Sequence, residues 1–449
     1  MKKSKGISNQ MDMLNGSIFD KILLFALPLA ISCILQQLFN SVDVAVVGRF
    51  ASSEALAAVG SNSSVISLLI NLFVGISVGA NVVIANYIGQ GKTEKIQDAV
   101  HTVMIVSLIS GVFLLVLGLM IARPILEIMG TPENVIDLAV LYLHIYFLGM
   151  PFLMIYNFGA AVLRSKGDTK RPLYCLIISG VINACLNLLF VIVFKLSVAG
   201  VAIATVIADG VSAVLIIYFL MNEEETIRLR LNKLKIKKSE LIKVIKIGVP
   251  AGLQGVVFSV SNVCIQTAIN SFGSDAVAGS ATGLNFEYFT ISAFVQAAIT
   301  FTSQNYGARN FKRCKKIFVY SMISSVVICG LMSAIFVVWR DFFAGIYTTD
   351  KAVLEYASIR MVHVLLFECL ASSYEIGGAA LRGLGYSMTP AVLTVLGSCV
   401  FRLIWIYTVF NKFRSFEMLM NVYPVSWVIT GIAVLIAYAM VRKKLFKET

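Results

Sequence analysis

The chain has 449 residues, of which 58% are hydrophobic and only 14% are charged. Apolar runs of about 20 residues recur along it, which is the length a helix needs to cross a lipid bilayer. This composition excludes an ordinary soluble globular protein. The formal charge of +13 does not indicate a nucleic-acid partner, because the basic residues are spread over loops next to apolar runs.

Twelve apolar runs are predicted to be membrane-spanning helices. They begin near Ile22, Ala55, Ala99, Val135, Leu173, Val198, Val244, Ala276, Ile317, Ala352, Met388 and Met418. Most of the 37 Lys and Arg residues lie on the side of the N-terminus. The opposite side carries Arg49, Arg123, Lys195, Arg340, Lys351, Lys412 and Arg414. By the positive-inside rule, the sequence predicts a multi-pass protein of the cell membrane with both termini in the cytoplasm.

The first span carries the most informative ionisable residue, Asp43. It lies six residues before Arg49, which places it about 9 Å inside the outer membrane face. A charge at the bilayer centre costs at least about 2.5 kcal/mol, so a carboxylate there indicates a group that takes up and releases a proton. The alternative is a carboxyl that only hydrogen-bonds a neighbouring helix. Pro28, earlier in the same span, permits a helix bend that is one conceivable gate.

No motif of an enzyme or of an organic cofactor stands out in the sequence. The string GQGKT at Gly89–Thr93 is similar to part of a phosphate-binding loop, but the first glycine of that motif would fall at Asn86. The eight cysteines have no metal-binding spacing. The sequence therefore predicts neither catalysis nor a cofactor.

A basic segment at 222–243 separates the sixth span from the seventh. It holds Arg228, Arg230, Lys233, Lys235, Lys237, Lys238 and Lys243. We expect it to be a cytoplasmic linker that lies on anionic lipid headgroups.

Further ionisable residues are predicted inside the spans. The acids are Asp209, Glu287, Glu368 and Glu375, and the cations are Arg360 and Arg402, with His144 and His363 beside them. Glu287 and Arg402 are expected to pair across spans. Glu368 and Glu375, seven residues apart, are expected to share a helical face. Together with Gln36, these four residues are candidates for lining a substrate cavity.

The chain contains two copies of one unit. The segment GAAVLRSKGDTKRP at Gly159–Pro172 recurs as GGAALRGLGYSMTP at Gly377–Pro390, an offset of 218 residues. Further upstream, Pro28 faces Pro250 and Asn40 faces Asn262. Internal duplication in a strongly apolar chain is typical of secondary transporters.

The duplication predicts the architecture. Six spans per copy leave both copies in the same orientation, which places the pseudo-twofold axis along the membrane normal. The predicted fold is therefore an all-α membrane protein of twelve transmembrane helices in two six-helix lobes. The predicted N-lobe is 1–221, and the predicted C-lobe is 244–449.

The chain resembles the multidrug and toxic compound extrusion (MATE) transporters, in particular the bacterial branch with a cation site in the N-lobe. The matching segments are FALPLAISCILQQLFNSVDVAVVGRF, SEALAAVG, GVAIATVIAD and the ALRG at Ala380–Gly383. The resemblance implies a V of two lobes, alternating access, and export of amphipathic, often cationic compounds against entering protons or sodium ions. It also implies that Asp43 binds the coupling cation with Asn183 and Thr205.

One position departs from the pattern of the family. Similar members place a second acid four residues after the asparagine of the fifth span, and this chain has Asn187 there. Asp209 lies one turn after Thr205 on the same helical face. The missing carboxylate has either moved to Asp209, or Asp209 is a solvated residue of the cavity wall.

Several alternatives stay open at this point. The coupling ion is H⁺ or Na⁺, with Asp43 as the only site implied for sodium, and the loss of an acid at Asn187 leans towards protons. A flippase for lipid-linked saccharides, from the same wider superfamily, is the second hypothesis for the function, and a membrane enzyme is a distant third. The expected partners are small amphipathic or cationic substrates and membrane lipids, and we expect a monomer.

Overall fold

The computed structural model describes residues 11–287 and 291–445. Within these ranges the chain is helical and contains no strand. Nine of the described helices are long and apolar enough to cross a membrane, and one bent pair of helices forms a tenth candidate span. This confirms the predicted all-α membrane class.

The first half of the chain forms seven α-helices. They are α1 (Ile18–Phe50), α2 (Ser53–Gln90), α3 (Thr93–Ile128), α4 (Glu133–Leu148), α5 (Met150–Ser165), α6 (Lys170–Leu188) and α7 (Ser197–Met221). A π-helical turn, Leu189–Val193, continues α6, and a short 3-10 turn, Leu231–Lys233, follows α7.

The second half forms the remaining helices. They are α8 (Lys238–Asn270), α9 (Ser274–Leu284), α10 (Ile291–Gly307), α11 (Phe311–Val338), α12 (Arg340–Gly345), α13 (Lys351–His363), α14 (Ser372–Gly383), α15 (Met388–Thr394), α16 (Phe401–Trp405), α17 (Phe416–Met420) and α18 (Val422–Leu445). A 3-10 segment, Leu365–Ala371, lies between α13 and α14. Two π-helical turns, Val395–Val400 and Ile406–Phe410, flank α16.

The chain divides into two compact units. The first is built mainly from Leu27–Gly252, and the second from Ser17–Ala26 and the chain from Leu253 onward. Helices α1 and α8 therefore contribute to both units. The lobe limits and the linker at 222–243 stay a prediction.

Several of the twelve predicted spans are interrupted within the described residues, and three of them bear on the sites discussed below. The fourth is the bent pair α4 and α5, which meet at 48° where Gly149 and Pro151 weaken the helical hydrogen bonding. The span predicted near Ala276 is formed by α9 and α10, and positions 288–290 between them lie outside the described residues. The span predicted near Ala352 changes from α-helix to 3-10 helix after His363.

Helix α1 continues through Pro28 as one helix. The hydroxyl of Ser32 donates a hydrogen bond to the Pro28 carbonyl oxygen at 2.8 Å. The bend at Pro28 therefore stays a prediction.

Glycines bring α2 and the first part of α8 into backbone contact. Gly75 and Gly79 on α2 face Gly248 and Gly252 on α8, and a Cβ on any of the four would collide with the backbone of the other helix. Each pair has the four-residue spacing that lets membrane helices approach closely. This contact fixes the crossing of the two helices inside the first unit.

The segment that follows α7 is held on α3 through its backbone. The Gln97 side chain donates to the Glu225 carbonyl oxygen at 2.7 Å. The Arg230 N–H donates to Nε2 of His101 at 3.2 Å, and the Lys237 N–H donates to the Thr102 hydroxyl at 3.0 Å. This basic segment is therefore docked on the first unit.

Candidate functional site

The site in the first unit depends on the packing of α1 against α6. The ring of Phe39 occupies the space that a side chain at position 180 would need, so only glycine fits there. One turn after Phe39, α1 presents Asp43 to α6. The absence of a side chain at Gly180 thus lets α1 approach α6 where Asp43 meets the amides of α6.

Four of the predicted site residues form one hydrogen-bonded chain. The Asn187 amide nitrogen donates to the Asp43 carboxylate and, at 3.1 Å, to Oδ1 of Asn183. The Asn183 amide nitrogen donates to the Thr205 hydroxyl at 3.3 Å. Thr205 in turn donates to the Val201 carbonyl oxygen at 3.0 Å. The structure therefore brings Asp43, Asn183, Asn187 and Thr205 together from three helices.

This chain leaves one acceptor unused beside the carboxylate. Asn187 is fully buried, and its Oδ1 has no hydrogen-bond partner. An unused acceptor costs free energy in a buried place. Oδ1 of Asn187 lies on the side chain that contacts the Asp43 carboxyl group. Oxygen atoms of both groups can accept a proton's hydrogen bond or coordinate a small cation.

Asp209 lies near this series of hydrogen-bonded side chains. Within the described residues it forms no hydrogen bond with any of them. It is one turn after Thr205 on α7, beside Gly149 at the break between α4 and α5. It is close enough to Asp43 for the two carboxyl groups to interact electrostatically. The structure thus places a second acid near the first, on α7 of the same unit.

Two tyrosines that sequence reasoning missed accompany these acids. Tyr142 and Tyr146 on α4 stack with ring centroids 5.9 Å apart. Both are close enough to Asp43 and Asp209 to interact electrostatically with them. The only available signal was two phenols spaced four residues apart, on one face of an apolar span.

The predicted pairing of Glu287 with Arg402 is wrong. Glu287 instead binds Arg360, with Nε to Oε1 at 2.7 Å and Nη2 to Oε2 at 3.0 Å. Nη1 of Arg360 also donates to the Ser280 hydroxyl at 2.8 Å. Glu287 follows α9 directly, and α9 packs along α13, so the cation of α13 is the one within reach.

Three of the other predicted cavity residues, Glu368, Glu375 and Arg402, lie near one buried tyrosine, Tyr374. Glu368 is buried in the 3-10 segment, whereas Glu375 is half-buried in α14. Three of the six residues between them belong to the 3-10 segment, so the continuous α-helix assumed for a shared face is interrupted. Gln36 is exposed on α1. Arg402 is fully buried among neutral groups of the second unit.

A second charged cluster joins the ends of α5, α6 and α7. Lys166 donates to Glu223 and to Glu224, each at 2.9 Å, and Arg171 binds both Glu223 and Asp168. Burial opposes the ionisation of Glu223, but the hydrogen bonds from Lys166 and Arg171 hold its pKa below the ordinary value. The cluster ties the start of the basic segment to the loop between α5 and α6.

The sequence and the fold both match known proteins. A family model described as MatE matches residues 28–189 and 250–408. The probable multidrug resistance protein YoeA of Bacillus subtilis is 30% identical over 393 residues, which cover 84% of each chain. An FAD transporter of Shewanella oneidensis is 24% identical over 364 residues, which cover 80% of each chain.

A solved structure has the same fold. It is the outward-facing conformation of a multidrug resistance MATE family transporter of the MOP superfamily. The two chains superpose with a TM-score of 0.91 at 21% identity, and each is covered over 100% of its length. This similarity confirms the predicted fold class.

Proposed function

Because this chain belongs to the multidrug and toxic compound extrusion family, we propose that it exports amphipathic, often cationic compounds in exchange for entering protons or sodium ions. The chain is a multi-pass membrane transporter. The coupling ion would bind at Asp43, and two conformations of the transporter would alternate with its occupancy.

The observation that carries this proposal is the chain from Asp43 through Asn187 and Asn183 to Thr205. It holds one carboxylate among amide and hydroxyl groups, inside a helix that is apolar enough to span a membrane. A charged carboxylate in that position raises the free energy of the protein, and a bound cation removes most of this cost. Occupancy by a cation therefore changes the free energy of the surrounding helices, which is the requirement for coupling.

The same groups accommodate either coupling ion. A proton on Asp43 would donate a hydrogen bond to an acceptor such as the unused Oδ1 of Asn187. A sodium ion would take oxygens from the same two side chains and from Thr205. With an amide at Asn187 in place of an acid, the site offers a single full negative charge at this position, which favours the proton.

The energy available is sufficient for accumulation. One charge that moves down 100 mV releases about 2.3 kcal/mol, before any concentration gradient is counted. The relatives named above are a probable multidrug resistance protein and an FAD transporter, and we extend multidrug export to this chain. The flippase alternative has no specific observation in its favour.

The arrangement in the membrane is part of the proposal. We place both termini and the basic segment at 222–243 in the cytoplasm, between lobes at 1–221 and 244–449, in a monomer of the cytoplasmic membrane. The support is the excess of Lys and Arg on that side of the predicted spans.

Dye efflux from proteoliposomes with an imposed pH or sodium gradient tests the function. We expect wild-type protein to export a cationic dye only when a gradient is present, and Asp43→Asn to abolish that dependence. Asp137→Asn is the matched control, because Asp137 is an exposed acid of the same unit that pairs with Arg123. Gradient-independent export, or full coupling in Asp43→Asn, would contradict the proposal.

A further inference from the structure

Arg402 is a fully buried cation without an acid. It lies on α16, in the middle of the apolar span Met388–Phe410, and its exposed fraction is 0%. Arg360, the other arginine inside a predicted span of this half, is paired with Glu287. Among the described residues, no carboxylate forms an ion pair with Arg402.

The neighbours of Arg402 are neutral. Nε donates to the Ser426 hydroxyl at 3.2 Å, and Nη1 donates to Oδ1 of Asn262 at 3.5 Å. The guanidinium lies 5.0 Å from the ring centroid of Phe258 and 4.6 Å from that of Tyr423. Ring faces and amide oxygens attract a cation, but they do not cancel its charge.

Two glutamates interact electrostatically with a tyrosine that also interacts with Arg402. Glu368, Glu375 and Arg402 all interact electrostatically with Tyr374. Neither glutamate reaches the guanidinium itself. The positive charge of Arg402 is therefore not neutralised by direct contact.

Two hydrogen-bond donors in this place have no acceptor. They are Nη2 of Arg402 and Nε1 of Trp427, both on fully buried side chains. The ring of Tyr423 contacts both residues, with its centroid 6.0 Å from that of Trp427. Buried polar groups are normally paired, so each exception needs an explanation. Here both exceptions are donors, and one carries a full positive charge.

The repeat relates this place to the site in the first half. The offset of 218 residues sets Tyr423 opposite Thr205 and Arg402 opposite Ala184, which adjoins Asn183. The first half has a carboxylate and an unused acceptor there, whereas the second half has a guanidinium and unused donors. π-helical turns lie on both sides of Arg402, and such turns occur often at functional sites.

We infer that the second half binds one compact anionic group at Arg402, a halide or a carboxylate, with Nη2 of Arg402 and Nε1 of Trp427 as donors. The anion comes either from solution or from a carboxylate carried by the exported compound. The second source rests on the proposed function, and the first does not. In either case the anion supplies the negative charge that balances Arg402, next to the rings of Phe258 and Tyr423.

Thermal unfolding of the purified protein in detergent tests the inference without any transport. Salts of chloride, acetate and gluconate are compared at equal ionic strength, with gluconate as an anion too large for an enclosed place. We expect chloride or acetate to raise the unfolding temperature saturably and gluconate to leave it unchanged. Arg402→Gln should abolish the response. Arg123→Gln, which removes an exposed arginine of the first unit, should retain it.

A second variant keeps the test decisive where Arg402→Gln does not fold. Trp427→Phe removes one donor and leaves the charge. It should raise the half-saturating chloride or acetate concentration about tenfold, the loss expected for one hydrogen bond to a charged group. An unchanged half-saturating concentration in Trp427→Phe, or an unchanged response in Arg402→Gln, would overturn the assignment.

A matched pair of dyes separates the two sources. A cationic xanthene dye with a free carboxylate is compared with its methyl ester in the same unfolding measurement. Stabilisation by the acid but not by the ester, lost in Arg402→Gln, assigns the site to the carboxylate of a substrate. Equal stabilisation by both dyes together with a chloride response assigns it to a free anion. No response to chloride, acetate or the acid dye would sink the inference, whatever the efflux assay shows.

Discussion

At the scale of single residues, the site depends on which side chains are missing. The absent side chain of Gly180 admits Phe39, and this contact sets Asp43 beside Asn187. Position 187 carries an amide, which donates a hydrogen bond to Asp43. A carboxylate at position 187 would instead repel the carboxylate of Asp43. On the proposed function, Asp43 would be ionised beside Asn187 in one state and occupied by a cation in the other.

The relocation of the second acid to Asp209 is tested by substitution. Because Asp209 interacts electrostatically with Asp43, we expect Asp209→Asn to reduce gradient-driven exchange about tenfold, equivalent to about 1.4 kcal/mol of coupling. Exchange in proteoliposomes is the measurement. Should Asp209→Asn transport like wild type while Asp43→Asn is inactive, Asp209 would be a residue of the cavity wall only.

The sequence predicted the residues of the first site better than those of the second half. Asp43 was conspicuous as a lone acid in an apolar span, and the family pattern added Asn183 and Thr205, which the structure joins through Asn187. The partner of Glu287 was not predictable, because pairing across spans depends on which helices are neighbours. No pattern of spacing singles out Arg360 over Arg402.

At the scale of helices, small residues determine how closely two spans approach. The crossing of α2 with the first part of α8 has backbone against backbone at Gly75 and Gly252. In a membrane, such contacts gain van der Waals energy that lipid cannot replace, since lipid tails are as apolar as the helices.

An alanine at Gly75 tests this crossing. We expect Gly75→Ala to lower stability by about 1–3 kcal/mol, because its Cβ has no room and the helices must separate. Gly210→Ala on α7 is the matched control, since a Cβ there meets nothing within 4 Å. The control should be neutral or stabilised by up to about 1 kcal/mol. Equal unfolding temperatures for the two variants in detergent would contradict the close crossing.

The positions of the helices were predictable, but their interruptions were not. Runs of apolar residues fix the length of a span, and all twelve predicted starts fall in or near helices of the structure. No proline or glycine near His363 indicates the change to 3-10 helix that follows it. For that reason the shared face of Glu368 and Glu375, which assumed one continuous α-helix, stays a prediction.

At the scale of the whole molecule, the basic segment is more than a flexible connection. Its backbone is held on α3 because Glu225 accepts a hydrogen bond from Gln97, and Arg230 and Lys237 donate to His101 and Thr102. The cluster of Lys166, Arg171 and Glu223 fixes the point where the segment leaves α7. The sequence indicated the charge of this segment, but its docking depends on side-chain contacts far apart in the chain.

The pH dependence of stability follows from Glu223. Its lowered pKa in the folded protein means that the ionised form contributes stability above the pKa of the unfolded chain. That stability is lost as the pH falls through the folded-state value. We therefore expect Glu223→Gln to lower stability by about 1–3 kcal/mol at neutral pH, and the difference from wild type to close in acid.

Thermal unfolding across a pH series measures this difference. Glu224→Gln is the control, because Glu224 also contacts Lys166 but its side chain is 59% exposed. It should have a much smaller effect at every pH. A Glu223→Gln difference that persists at low pH would show that the cluster does not act through its charge.

The π-helical turns show which features the two halves share and which they do not. The π-helical turns Leu189–Val193 and Ile406–Phe410 fall within one residue of the same place in each copy. A feature shared by both copies is most simply inherited from the single gene that doubled. Asp43 and Arg402 have no like-charged counterparts across the copies. The π-helical turn is therefore a property of the repeated unit, whereas the carboxylate and the guanidinium each belong to one copy alone.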